Sequence, residues 1–309
     1  MVFDRTLCFL PDDSVIGEKS IRCKGDVIVG DRARLSRGII SEGRLFVGEF
    51  ADLKGDLVAV GDIRIDKGTK VLGDITGDNN IYLGERSSVK GEVVVGRDLD
   101  IGEGVDIDPK TIESRGLINI RNPISVIIYI LLYLLELIKR DDSTEIDRFF
   151  KEMETGEGGD FLISNNFTYL PRGTRLDGEM FEVPGSLRIG PRARVVANVV
   201  SQGDVDLETE AVLIGDLNAK GKVYIGENVI INGNVLSDIE ITVHHAARID
   251  GNLRSKNISI TPDTIVEGTL KGSEGIRILT EGEGAVEERI NRYEKGVDSL
   301  EGVIGTEQQ

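Results

Sequence analysis

The sequence contains two histidines, His244 and His245, and histidine is the side chain best suited to acid–base catalysis or zinc binding near neutral pH. A zinc site built from three histidines is excluded, because the sequence has only two. Adjacent residues of a strand point to opposite faces, so the pair is not expected to bind one ion together. One histidine could be catalytic, as in an acyltransferase, but we favour ordinary solvent-facing or edge positions for both.

Acidic residues recur at every eighteenth position, as Asp56, Asp74 and Glu92. If these residues lie on neighbouring strands, about one strand spacing apart, their side-chain oxygens could bind a row of hard cations. The matching row later in the chain would bind cations poorly, since it reads Asp216, Asn234 and Asn252. Asp and Asn also simply suit turns, and we favour that interpretation. With that interpretation we expect no metal at these acids. No phosphate-binding glycine loop is present either, so we expect no nucleotide or other cofactor.

Cysteine content and charge narrow the class of protein. The two cysteines, Cys8 and Cys23, are too few for a disulfide framework, and we expect reduced thiols in a cytoplasmic protein. The first residues lack the basic and apolar regions of a signal peptide. The formal net charge of −17 argues against nucleic acid and against electrostatic binding to anionic lipid, because both require a basic field.

The reactive residues lie within a strict repeat. Short phrases return at every eighteenth position, as in Gly55-Asp56-Leu57, Gly73-Asp74-Ile75 and Gly91-Glu92-Val93. Within this period, aliphatic residues recur at every sixth position from Val29 except at Ser41 and Gly77, and the positions two before them are nearly as apolar. Residues i and i+2 of a strand share a face, so each hexad predicts a short strand and a turn. Three such strands form one triangular coil with an aliphatic interior, and coils stack about 4.8 Å apart as a β-solenoid.

The whole pattern occurs twice, with a 160-residue offset, so that Leu10-Pro11 matches Leu170-Pro171 and Ser41 matches Ser201. We therefore predict an all-β protein with two tandem β-solenoids of 18-residue coils, at residues 1–115 and 160–282. The second solenoid has one 17-residue coil after Ile249, which predicts a shortened corner. Residues 283–309 are acidic and predict a mobile tail.

Residues 116–159 break the repeat and predict an inserted α-helical hairpin. Pro123 opens an apolar helix at residues 124–138, roughly 22 Å long, which is short for crossing a bilayer. A second helix is expected after Glu145, with an apolar stripe that begins at Ile146. The first helix could pack on this second helix or on another subunit, lie in or on a membrane, or span it. Its apolar side chains are the candidates for membrane or helix contacts: Ile124, Ile127, Ile128, Leu131, Leu134, Leu135 and Ile138.

The Gly-Asp-Ile and Gly-Asn-Val phrases, with an Ile-x-Ile-Gly strand half a coil later, resemble the bactofilins over about residues 25–108 and 185–279. Two copies and a helical insert make the chain look closer to the tandem bactofilin-like proteins of archaea. The resemblance implies a right-handed β-helix that polymerises end to end without nucleotide into filaments lacking polarity, acting in cell shape. Such a protein is a non-enzymatic cytoskeletal scaffold whose main partner is itself.

The ends of a solenoid carry unpaired backbone groups, and uncovered edges recruit other edges. The expected terminal coils are apolar, which makes the following residues candidates for self-assembly: Phe9, Leu10, Phe161, Leu162, Phe167, Tyr169, Ile276, Ile278 and Leu279. The hairpin could attach the scaffold to the inner face of the cell membrane or to a membrane protein. Two alternatives remain, a hexapeptide-type solenoid acyltransferase and a monomeric solenoid adaptor.

Overall fold

A computed structural model describes residues 6–120 and 167–279. These two ranges form an all-β solenoid, and their only helical element is a 3₁₀ turn at Pro109–Thr111. We call residues 6–120 the first half and residues 167–279 the second half. The predicted helical hairpin and the predicted tail lie outside the described residues.

The first half contains β1 (Cys8–Leu10), β2 (Val15–Ile16), β3 (Ser20–Cys23), β4 (Asp26–Val29), β5 (Arg34–Leu35), β6 (Gly38–Ser41), β7 (Leu45–Val47), β8 (Asp52–Leu53), β9 (Leu57–Ala59), β10 (Ile63–Ile65), β11 (Lys70–Val71), β12 (Ile75–Gly77), β13 (Ile81–Leu83), β14 (Ser88–Val89), β15 (Val93–Val95), β16 (Leu99–Ile101), β17 (Ile112–Ser114) and β18 (Ile118–Ile120).

The second half contains β19 (Phe167–Leu170), β20 (Arg175–Asp177), β21 (Met180–Val183), β22 (Leu187–Ile189), β23 (Arg194–Val196), β24 (Asn198–Ser201), β25 (Val205–Leu207), β26 (Val212–Ile214), β27 (Leu217–Ala219), β28 (Val223–Ile225), β29 (Ile230–Asn232), β30 (Val235–Ser237), β31 (Glu240–Val243), β32 (Arg248–Ile249), β33 (Leu253–Ile260), β34 (Ile265–Val266) and β35 (Leu270–Ile278).

The six-residue repeat determines which side chains are inside. Val27 and Val29 of β4 are buried, whereas Ile28 between them faces outward and is half-buried. The equivalent pair in the next coil, Leu45 and Val47, lies directly beside them in parallel register. Repetition of this pairing builds one aliphatic core through both halves, because each coil places its apolar side chains against those of its neighbours.

The strands form three ladders that run the length of the molecule. Ladder 1 has the order β18-β16-β13-β10-β7-β4-β19-β1-β22-β25-β28-β31-β33-β35. Ladder 2 has the order β14-β11-β8-β5-β20-β21-β24-β27-β30-β33-β35, and β33 and β35 are long enough to belong to ladders 1 and 2. Ladder 3 has the order β17-β15-β12-β9-β6-β3-β2-β23-β26-β29-β32-β34.

Each ladder is parallel except for one antiparallel pair at its centre. This pair is β1–β19 between the halves, β20–β21 within the second half and β2–β3 within the first half. The chain direction therefore reverses there, and the two halves meet with their N-terminal coils together. Residues matched by the 160-residue offset, such as Phe9 and Tyr169, pair across this junction. The expectation of two separated solenoids thus needs correction: the described strands form one continuous stack.

The N-terminal strands are exchanged between the halves. The β1 strand lies parallel to β22 of the second half, and β19 lies parallel to β4 of the first half. In the same way β2 pairs with β23, and β20 pairs with β5. Each half is therefore covered at its N-terminal end by a strand of the other half, which leaves no open edge at the junction.

Two coils depart from the common length. Ile241 pairs with Ile258, and Ile249 with Val266, so this coil is one residue short and confirms the predicted shortened corner without a change of buried face. Leu99 pairs with Ile118, so the coil between them is one residue longer than the common length. The extra residue lies in the corner that contains the turn at Pro109–Thr111. Both adjustments occur in corners, where an added or lost residue does not turn the apolar face outward.

The serines that interrupt the aliphatic row form hydrogen bonds with backbone groups at the corners of the coils. Ser41 Oγ donates a hydrogen bond to the carbonyl oxygen of Gly25 at 2.8 Å and accepts one from the Gly43 amide at 3.1 Å. Ser201 repeats the donated bond to the Gly185 carbonyl at 2.7 Å. A buried hydroxyl at this position satisfies backbone groups that an aliphatic side chain would leave without a partner.

Candidate self-assembly surfaces

Four of the predicted self-assembly residues lie at the junction inside the chain. Leu10 is buried against the second half, and Phe9 is half-buried beside Tyr169. The rings of Phe9 and Phe167 have centroids 5.7 Å apart. Sequence reasoning identified an apolar stacking surface here, and the structure uses these four residues to join the two halves.

Arg37 is the junction residue that the sequence did not reveal. Its side chain is 5% exposed. Its Nη1 donates hydrogen bonds to the carbonyl oxygens of Gly17 at 2.7 Å and Val196 at 2.9 Å, and its Nη2 donates to the Gly178 carbonyl at 2.7 Å. The guanidinium thus binds carbonyls from both halves at once. Burial lowers the pKa of Arg37 below its ordinary value, since desolvation disfavours the charged form.

The matching position in the second half is Ala197, so the pseudo-symmetry of the junction is broken at this point. The only sequence signal was a lone arginine in one copy where the other copy has alanine. A second polar contact also joins the halves: Arg192 Nε lies 2.9 Å from Asp13 Oδ1. This hydrogen bond, with that of Lys24, lowers the pKa of Asp13.

The other three described candidates lie at the far end of the second half. Ile276 is 46% exposed and Ile278 is 65% exposed, and Leu279 follows directly and is half-buried. Their strand β35 pairs only with β33 among the described strands. The last coil of the second half therefore presents an apolar edge.

The far end of the first half presents a similar edge, which the sequence prediction missed because it ended the solenoid at residue 115. Ile118 is 49% exposed and Ile120 is 74% exposed on β18. This strand pairs only with β16 in the part of the chain that the structure describes. The isoleucines continue the row of Leu99 and Ile101, and this continuation was the available signal.

The corner acids act as backbone caps. Asp56 Oδ1 accepts a hydrogen bond from the Asp74 amide at 3.0 Å, and Asp74 Oδ1 accepts one from the Glu92 amide at 2.8 Å. In the second half, Asp216 Oδ1 accepts from the Asn234 amide at 2.7 Å. An amide side chain performs this task as well as a carboxylate, which explains why Asn replaces Asp in one copy.

The histidines occupy a corner after β31. His245 Nδ1 lies 3.2 Å from Asp263 Oδ1, and the ring of His244 lies 4.6 Å from that of Tyr224. Within the described ranges, no group of three metal-ligating side chains is present. Cys8 and Cys23 are free and buried, and burial raises the pKa of the Cys8 thiol above its ordinary value.

The remaining predicted residues lie outside the described residues. They are Phe161 and Leu162 and the apolar set Ile124, Ile127, Ile128, Leu131, Leu134, Leu135 and Ile138. No helix among residues 6–120 and 167–279 has the length and apolar character needed to cross a membrane.

A continuous β-solenoid with apolar edges at both ends belongs to the class of stacked repeat proteins whose ends favour association with further copies. Residues 168–271 match the family model described as Bactofilin, polymer-forming cytoskeletal. Residues 168–271 of the chain are therefore similar to a bactofilin domain. No curated protein and no solved structure matches the chain significantly. The match to the bactofilin model supports a structural scaffold role and self-association.

Proposed function

We propose that this chain is a subunit of a cytoplasmic cytoskeletal polymer, in which rods join end to end without nucleotide and act in cell shape or envelope organisation. The observation that carries the proposal is the pair of exposed apolar edges at β18 and β35. The family match supports polymerisation. A right-handed winding and an inserted helical hairpin are part of the same proposal.

The N-terminal coils of both halves are occupied at the junction, so the contacts between rods use the two last coils. Ile118 and Ile120 lie at one end, and Ile276 and Ile278 lie at the other. An unpaired strand edge next to exposed aliphatic side chains offers both hydrogen bonds and apolar area to an incoming edge. Both ends are C-terminal coils, so strands on the two sides of each contact run in opposite directions, as expected for filaments without polarity.

Purified full-length protein should form filaments about as wide as one solenoid in negative-stain electron microscopy, equally with and without ATP or GTP. Sedimentation over a range of protein and salt concentrations gives the polymerised fraction. Nucleotide independence is expected because the proposed contacts involve only strand edges and aliphatic side chains. Single rods at every concentration and salt would overturn the proposal and favour the monomeric adaptor.

A further inference from the structure

Residues 121–166 connect two strands of the same ladder. Ile120 ends β18 in the last coil of the first half, and Phe167 begins β19 at the junction. Six strand steps of ladder 1 separate these strands, which corresponds to roughly 29 Å at the usual strand spacing. The connection must therefore return along the whole first half. The shortest surface route crosses the outer face of ladder 1, since the alternative passes over ladders 2 and 3.

This surface, the ladder 1 face of the first half, is rich in apolar and aromatic side chains. Its outward residues are half-buried or exposed. In ladder order they are Asn119, Asp100, Tyr82, Arg64, Phe46, Ile28 and Tyr169, so the polar residues lie near the last coil and the apolar ones nearer the junction. The guanidinium of Arg64 lies 5.1 Å from the centroid of the Tyr82 ring. Two shallow grooves run along this face, one near the junction and one near the last coil, and Phe46 lines both.

The equivalent face of the second half is an internal control, because no connection between described strands crosses it. The 160-residue offset matches Ile28 with Arg188, Phe46 with Asp206, Arg64 with Tyr224, and Tyr82 with Thr242. The Nε atom of Arg188 lies 3.5 Å from Asp206 Oδ2, so an ion pair stands where the first half has aliphatic and aromatic side chains. At three of these four matched positions the first half, along which the connection returns, has the more apolar side chain.

We propose that residues 124–138 pack along the ladder 1 face of the first half, with their apolar side chains against Ile28, Phe46 and Tyr82. The sequence predicts an apolar helix there of roughly 22 Å, which fits within the path of roughly 29 Å. Contact with this face buries apolar area on both surfaces and accounts for the hydrophobic stretch without lipid. The segment is then a fixed cover of the solenoid, and this inference is independent of polymerisation.

Photocrosslinking in the full-length chain tests the inference. The change Phe46→p-benzoylphenylalanine places a reactive group on the apolar face, and Asp206→p-benzoylphenylalanine is the matched control. Mixing isotope-labelled with unlabelled protein separates crosslinks within a chain from crosslinks between chains. Because the contact is intramolecular, position 46 should crosslink to peptides of residues 121–140 of its own chain about tenfold or more over position 206. Addition of phosphatidylcholine–phosphatidylglycerol vesicles should leave this yield unchanged.

Three results would each overturn the inference. Equal yields from positions 46 and 206 would show no preference for the apolar face. Crosslinks confined to labelled–unlabelled pairs would assign the face to a second copy of the chain. Loss of the crosslink on addition of vesicles, with the protein floating with the lipid, would assign residues 124–138 to a membrane.

Discussion

Changing Ile120 and Ile278 together to Arg should convert filaments into single rods. These side chains are 74% and 65% exposed on the last strands of the two ends. In an end-to-end contact each arginine would lose its hydration and face another charge or an apolar surface. We expect each contact to weaken by about 3 kcal/mol or more, which is a loss of roughly a hundredfold or more in affinity. Negative-stain electron microscopy and sedimentation velocity measure the result.

The single variants determine which ends meet. If like ends contact each other, Ile120→Arg alone leaves pairs of rods joined through their Ile278 ends. If unlike ends contact each other, either single variant leaves single rods. Leu72→Arg is the matched control, because Leu72 is 51% exposed on the side of the solenoid rather than at an end. Filaments of native length from the double variant would rule out these ends as the contact.

Replacing Arg37 by Ala should destabilise the junction by about 2–4 kcal/mol, since three carbonyl groups lose a charged hydrogen-bond partner in a buried site. The change introduces no clash, as alanine occupies the matching position 197. Urea denaturation followed by circular dichroism measures the loss, in the Ile120→Arg, Ile278→Arg background so that polymerisation does not contribute.

The control for this prediction is Arg34→Ala, which removes an exposed arginine from neighbouring β5 and should change stability by less than about 0.5 kcal/mol. Hydrogen exchange locates the effect. Amides of β1, β2, β19 and β20 should exchange faster in the Arg37 variant, while those of the outer coils keep their protection. Equal stability of the Arg37 and Arg34 variants would contradict the assigned role.

The coil interior was predictable from sequence because strand alternation is a local rule. Val27 and Val29, and Leu45 and Val47, are buried as the six-residue count requires. Ser41 was visible in the sequence as an interruption of the six-residue aliphatic repeat. Why a serine lies there became clear only from the structure, in which its hydroxyl donates to the Gly25 carbonyl of the preceding coil. Local patterns therefore identified the buried positions and left their partners undetermined.

The junction could not be predicted, because the two halves share one repeat. Cys8–Leu10 could stack equally well, by its pattern, on β4 of its own half or on β22 of the other half. The burial of Arg37 depends on the same choice, since two of its three acceptors, Val196 and Gly178, belong to the other half. Sequence reasoning proposed the apolar N-terminal coils as contacts between chains, whereas the structure places their described residues at the junction within one chain. Which coils stack on them is a property of the folded chain.

The distance between the two outer coils tests the central claim, that the halves form one stack with a C-terminal coil at each end. Spin labels at Asn119→Cys and Arg277→Cys lie on the last strands of ladder 1, and the native Cys8 and Cys23 are buried. Double electron–electron resonance, with labelled protein diluted into unlabelled protein, should give one narrow distribution near roughly 60 Å at the usual strand spacing. A broad distribution, or one centred below about 40 Å, would mean that the halves are independent or lie side by side, and would contradict the continuous stack.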